Sequence, residues 1–187
     1  MLENNTQLVR HKRRVRFETA QLLVSLSSGN AMSTDLAWSA LLELPDWCRW
    51  PKQEQQRLLL VSGALFSAPT IRLWIDSERI KKARSLIGDK TFQLVLMNDV
   101  VPKNIDQVVR DDNVENLFLT AGASVLLGST PKSFRRYIDK VLPPAAGDLP
   151  DNISRLLLSE ALKILSEINN INESQQVEKE EVQEKTS

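Results

Sequence analysis

From Phe17 onward, apolar side chains recur every three or four positions, the spacing that gathers them on one face of a helix. Phe17, Leu22, Leu23 and Leu26 make the first such face, which stops near Ser28-Gly29-Asn30. Ser33-Thr34-Asp35 supplies capping side chains for a second helix through Leu36, Trp38, Leu41, Leu42 and Leu44, closed by Pro45. Pro51 suits the first position of a third helix, where its missing N–H forfeits no bond. That helix carries Leu58, Leu59, Val61, Leu65 and Phe66 and is expected to stop before Pro69. A fourth is expected from Arg72 to Leu86, ended by Gly88.

Thr91–Val100 is short, apolar and bounded by turn residues, so a strand competes with a helix there. Helix is the better reading, because nothing else in the chain offers a strand to pair with. Pro102 then opens a short helix through Ile105, Val108 and Val109, and Asn113 or Asp112 caps another through Val114, Leu117, Phe118, Ala121, Val125 and Leu126. Thr130, with Pro131 after it, is expected to cap a helix through Phe134, Tyr137, Ile138 and Val141, broken by Pro143-Pro144. A last helix starts near Pro150-Asp151 and carries Ile153, Leu156, Leu157, Leu162 and Leu165. The expected fold is all-α: a single compact domain of roughly eight helices over 11–168, after a flexible start at 1–10.

Two of these helices share a sub-pattern. Ser62-Gly63-Ala64 and Ala121-Gly122-Ala123 each put a glycine between small residues mid-helix. Glycine there costs about 1 kcal/mol relative to alanine and is tolerable where another helix must come close. Both trios are therefore predicted to be buried helix crossings. From about Asn169 the chain loses its aromatics and turns to Glu, Gln, Lys and Ser. A segment of that composition buries too little apolar area to offset its ordering entropy, so 169–187 is expected to be a disordered tail.

Composition changes this picture little. At 187 residues, 42% hydrophobic and 26% charged, the chain has the make-up of one ordinary globular domain able to bury a real core. Its 24 basic and 24 acidic residues balance, so bulk charge selects neither nucleic acid nor an anionic membrane. Zero net charge also favours association over solubility alone, which suits a protein that works in a complex. The start, Met1–Thr6, is polar and leads into no apolar run, no stretch is long and apolar enough to span a bilayer, and a single cysteine makes no internal disulfide. A reduced, cytoplasmic protein is expected.

Recognisable chemistry is sparse. The one histidine, His11, lies in the basic run Arg10-His11-Lys12-Arg13-Arg14-Val15-Arg16, where neighbouring cations disfavour its charged form. Cys48 has no second cysteine or histidine to complete a metal set, and no phosphate-cradling glycine loop or zinc-protease motif occurs. No enzyme activity, metal or cofactor is expected. Beside Arg49 and a helix start, Cys48 could be activated as a thiolate, but a small buried residue next to two tryptophans is the simpler reading.

Candidate binding residues remain. Trp47 and Trp50 share one side of a turn in "LPDWCRWP". They read first as a wedge closing the core between two helices, and second as anchors for a partner. Trp38 and Trp74 fit apolar helix faces and read as core. Arg135 and Arg136 could meet an acidic partner surface, although a plain solvated face is the simpler reading; Arg79, Lys81, Lys82 and Arg84 read the same way. The run Arg10–Arg16 could bind nucleic acid, but it lacks interleaved aromatics and any nucleic-acid motif. The candidate partner-binding residues are thus Trp47, Trp50, Arg135 and Arg136.

The corner and the helix after it carry a resemblance. "LPDWCRWP" followed by "RLLLVSGALFSAPTI" and a later "ID" resembles the central segment of the SctK family of type III secretion systems, the YscK, OrgA and MxiK types. The matching positions are Leu44, Pro45, Trp47, Arg57, Leu58, Gly63, Ala64 and Pro69, and the likeness is clearest from about Leu41 to Gly88. The resemblance implies a non-catalytic adaptor in the cytoplasmic sorting platform of the injectisome, at the cytoplasmic face of the bacterial inner membrane. Its partners would be the cytoplasmic domain of the inner-membrane ring protein (SctD type) and the pod protein (SctQ type), with no nucleic acid and no membrane insertion. The alternatives are a secretion chaperone or regulatory binding protein, or a nucleic-acid-binding helical domain using Arg10–Arg16.

Overall fold

A computed structural model describes residues 44–101 and 113–185 of the chain, with side chains described through Ile171. It is all-helical over these residues: a 3-10 turn, Asp46–Arg49, and six α-helices, α1 (Lys52–Ile71), α2 (Ser77–Ile87), α3 (Asp89–Met97), α4 (Val114–Ser129), α5 (Lys132–Ile138) and α6 (Asp151–Lys185). The expected helices over 17–26, 36–44 and 105–109 lie wholly or almost wholly outside the described residues, as do the expected flexible start at 1–10 and His11.

The centre of the body is α1. Its first turn is polar and exposed, but every residue from Leu58 to Ala68 is buried, so this stretch is surrounded by protein on all sides. The closest partner of α1 is α4, and the two glycine trios meet there. A Cβ built on Gly63 would land on the backbone carbonyl oxygen of Phe118, with the amide nitrogen of Gly122 only 2.9 Å away. A Cβ on Gly122 would land on the carbonyl oxygen of Leu59. The two trios are thus one crossing, backbone against backbone. Beside it α6 packs on α1 and α4, α3 bridges α1 and α6, α2 lies against α3 and α4, and α5 closes the end of α4. Leu58, Leu65, Leu117, Phe118, Leu126, Phe134, Ile138 and Leu157 are all under 2% exposed. Burying each contributes roughly 1.5–3 kcal/mol, which is the main force holding the helices together.

Several boundaries differ from the expected ones. Pro51 is the N-cap, in extended conformation, one position ahead of α1 rather than inside it. Pro69 does not stop α1, which continues to Ile71. The ring deletes one N–H in the last turn, while burial of Ala68 and Ile71 keeps that turn on the core. The next helix begins at Ser77 rather than Arg72, because the Asp76 carboxylate accepts from the Glu78 amide at 2.9 Å and so fixes the start. Gly88, at φ +85°, takes the left-handed turn that ends α2 and at once begins α3. Thr91–Met97 is helix, not strand.

Asn113 caps α4 as expected, its Oδ1 accepting from the amides of Glu115 and Asn116. Thr130 does not cap α5. It is 1% exposed, and its hydroxyl donates backwards to the Leu126 carbonyl at 2.8 Å, leaving Pro131 at the cap. The expected disordered tail at 169–187 is not confirmed: α6 carries on to Lys185, past residue 169. Its composition argues against burial, not against a helix. No glycine or proline follows Asp151, and Glu, Gln and Lys are strong helix formers. Ile168 is the last buried side chain described on α6.

Candidate interaction surface

The Trp47–Trp50 corner is held from the inside. Asp46–Arg49 forms a tight turn, with the Cys48 amide donating to the Pro45 carbonyl and Arg49 paired to Asp46 at 3.0 Å. The Gln55 amide reaches back from α1 and donates to the carbonyls of Cys48 and Trp50, at 3.1 and 2.9 Å. Trp47 is 4% exposed and belongs to the core, not to the surface, as the wedge reading requires. Its indole Nε1 is buried with no hydrogen-bond partner among the described residues. Trp50 is half-buried and packs on the rim of the core. Cys48 is buried as well, and burial pushes its thiol up to about 12, so at neutral pH it is not a thiolate.

Arg135 and Arg136 lie at the junction of α4, α5 and α6, and they do different things. Arg135 turns into the chain: its guanidinium donates to the carbonyls of Thr130 (3.0 Å) and Gly128 (2.8 Å) and to the Asp151 carboxylate (2.6 Å). It thereby closes the end of α4 against the start of α6. Arg136 is exposed, its guanidinium over the Tyr137 ring at 4.7 Å from the centroid and donating to the Tyr137 hydroxyl. An open groove of about 780 Å³ is lined by both arginines together with Asp139, Leu127, Leu142 and Pro144. The tryptophan corner and the arginine pair do not form one site: the first is tied to the start of α1, the second to the junction of α4 with α6.

Arg135→Ala is expected to destabilise the fold by about 1–3 kcal/mol, because two carbonyls lose a charged donor. Urea unfolding measures it. Acid adds a second readout. The hydrogen bond from Arg135 holds the Asp151 carboxyl below its usual range, as Lys163 does for Glu160. A carboxyl lowered in the folded state supports folding above its unfolded value, near pH 4, and loses that support as the pH falls through its folded value. Removing Arg135 deletes the Asp151 share, so unfolding free energy falls less steeply between about pH 5 and pH 3 in the variant.

One surface feature was not singled out by sequence. Leu73, Ile75 and Met97 are 80%, 97% and 78% exposed. They belong to one corner, because Arg72 spans it: its guanidinium donates to the carbonyls of Leu96 (3.0 Å) and Asn98 (2.6 Å), on either side of Met97, and pairs with Asp99 at 2.7 Å. A signal was present in "RLWID": Leu73, Trp74 and Ile75 are consecutive, and three consecutive residues do not all face one core. Trp74, expected in the core, is half-buried under the Arg79 guanidinium, 4.6 Å from its centroid.

Among the described residues no group of three or more His, Cys, Asp or Glu side chains is placed to hold a metal ion, and no helix is long and apolar enough to cross a membrane. No protein-family model, curated protein or solved structure matches the chain.

Proposed function

We propose that this chain is a non-catalytic adaptor of a type III secretion sorting platform, one that joins the cytoplasmic domain of the SctD-type ring protein to the SctQ-type pod protein. The reading rests on the SctK-like segment, and its support from the structure is the use made of those positions. Leu44, Trp47, Leu58, Gly63 and Ala64 are all buried, at the corner and along the central helix. Most of the residues that carry the resemblance are therefore spent on packing a helical body, as in a scaffold, and leave the outer faces for partners. The buried, protonated Cys48 speaks against the one nucleophile that the sequence offered. In this reading the helices expected over 17–26, 36–44 and 105–109 complete a body of roughly eight helices at the cytoplasmic face of the inner membrane.

Co-purification from the native bacterium, with a tag on the chain, tests it. Recovery of the ring and pod proteins together is the expected result. Recovery of a secreted effector without either would point instead to a chaperone. A nucleic-acid complex that dissolves steeply with salt would point to Arg10–Arg16, a run outside the described residues.

A further inference from the structure

We propose that residues 131–150, the short helix α5 and the loop after it, form a strap that opens from α4 as one unit while the rest of the body stays folded, with Arg135 as its latch. The strap lies along one side of α4. The Ala146 amide donates to the Thr120 carbonyl and the Gly147 amide to the Ser124 hydroxyl, each at 3.1 Å, and Leu127 lines the groove beside them. Thr120, Ser124 and Leu127 follow each other at steps of four and three, so they share one side of the helix. It is the side opposite Gly122, where α4 meets α1.

Both ends of the strap are prolines. Pro131 precedes α5 and Pro150 precedes α6, and neither has an N–H to carry a helical ladder across. The strap can therefore move without breaking into α4, which ends at Ser129, or into α6, which begins at Asp151. Its second half, from Asp139 to Pro150, contains no helix. Nor does it close down on α4. The open groove of about 780 Å³ is lined by Leu127 of α4 and otherwise by residues of the strap itself. A Cβ built on Gly147 would meet nothing within 4 Å.

The attachments are few in kind. Phe134 and Ile138, 1% and 2% exposed, plug α5 into the core. Arg135 reaches out of the strap in two directions, to the carbonyls of Gly128 and Thr130 at the end of α4 and to the Asp151 carboxylate at the start of α6. Opening gives up these bonds, two backbone donors and two buried apolar side chains. Unfolding the body gives up the whole core of α1, α4 and α6. A segment held by so much less opens far more often. Once open, it bares the Phe134 and Ile138 sites and the Leu127 side of α4, apolar surface that the closed form withholds.

Native-state hydrogen exchange of the full chain, at urea concentrations below its unfolding transition, tests the strap. The amides of the last turn of α5, through Asp139, and those of Ala146 and Gly147 are expected to exchange as one set with one shallow urea dependence. The set exchanges at least about a hundredfold faster than Leu65 in α1 or Val125 in α4. Arg135→Ala speeds it at least about fivefold, because the latch bonds exist only in the closed form. Asp151→Asn, which keeps the side chain's shape, speeds the same set to a lesser degree and serves if Arg135→Ala does not fold. Strap exchange as slow and as urea-dependent as that of Leu65 would overturn the inference, since the strap would then open only with global unfolding. Separate rates for α5 and for Ala146 and Gly147, exchange of Val125 with the set, or no response to either variant would overturn it too.

Discussion

Replacing Gly63 by alanine is expected to destabilise the protein by about 3 kcal/mol or more, at the upper end of what overpacking does. On an isolated helix the same change would stabilise by about 1 kcal/mol. The sign is reversed because the new methyl has nowhere to go: it meets the Phe118 carbonyl oxygen, and behind that the Gly122 amide. Both are backbone atoms in the middle of α4, which cannot rotate aside like a side chain. Relief requires α1 and α4 to separate along their whole contact, loosening Leu58, Leu65, Leu117 and Leu126 with them. For a domain of this size the midpoint of thermal unfolding falls by roughly 6–12 °C. Gly122→Ala behaves alike, since its methyl meets the Leu59 carbonyl. Gly147→Ala is the control: nothing lies within 4 Å of the added atom, and the change stays within about 0.5 kcal/mol. A Gly63→Ala protein as stable as the parent would mean that the two helices do not cross at these glycines.

Trp47→Ala carries the second large effect, a loss of about 3–5 kcal/mol from emptying a buried aromatic site. Trp47→Phe is expected to lose far less, about 1–1.5 kcal/mol. The reason is the orphaned indole nitrogen. Its N–H is buried with no partner among the described residues, so there phenylalanine gives up volume but no hydrogen bond, and it removes an unmet polar group. Trp50→Ala, at the half-buried rim, falls between Trp47→Phe and Trp47→Ala. Denaturant unfolding of the three variants separates a wedge from an anchor. If Trp47→Ala kept full stability and lost only partner binding, the corner would be an interface rather than core.

Helical class, most of the helix positions and the cap at Asn113 could be read along the chain, because they depend on spacings and side chains only a few residues apart. Burial of the two glycine trios could be read as well, since a helix tolerates an internal glycine best where something must come close. The chain does not say that each trio's neighbour is the other trio. That pairing depends on how faces 59 residues apart are brought together, and many arrangements would bury both. The same limit explains the boundaries. Pro69 breaks a helix in isolation but not one whose last turn is pinned by Ala68 and Ile71. Thr130 is a good cap by type, but its burial gives the hydroxyl only the Leu126 carbonyl to bond.

The binding candidates divide in the same way. Tryptophan and arginine are common at interfaces and in cores, and residue type alone cannot choose. Packing put Trp47 inside and turned Arg135 onto its own helix ends, while leaving Leu73, Ile75 and Met97 outside. Sequence by itself determined that this is a helical body with a small-residue seam, for those are local consequences of side-chain shape and spacing. Which seam closes on which, and which apolar residues are left outside, only the tertiary structure decided, because burial is allotted by the whole fold rather than by any one segment.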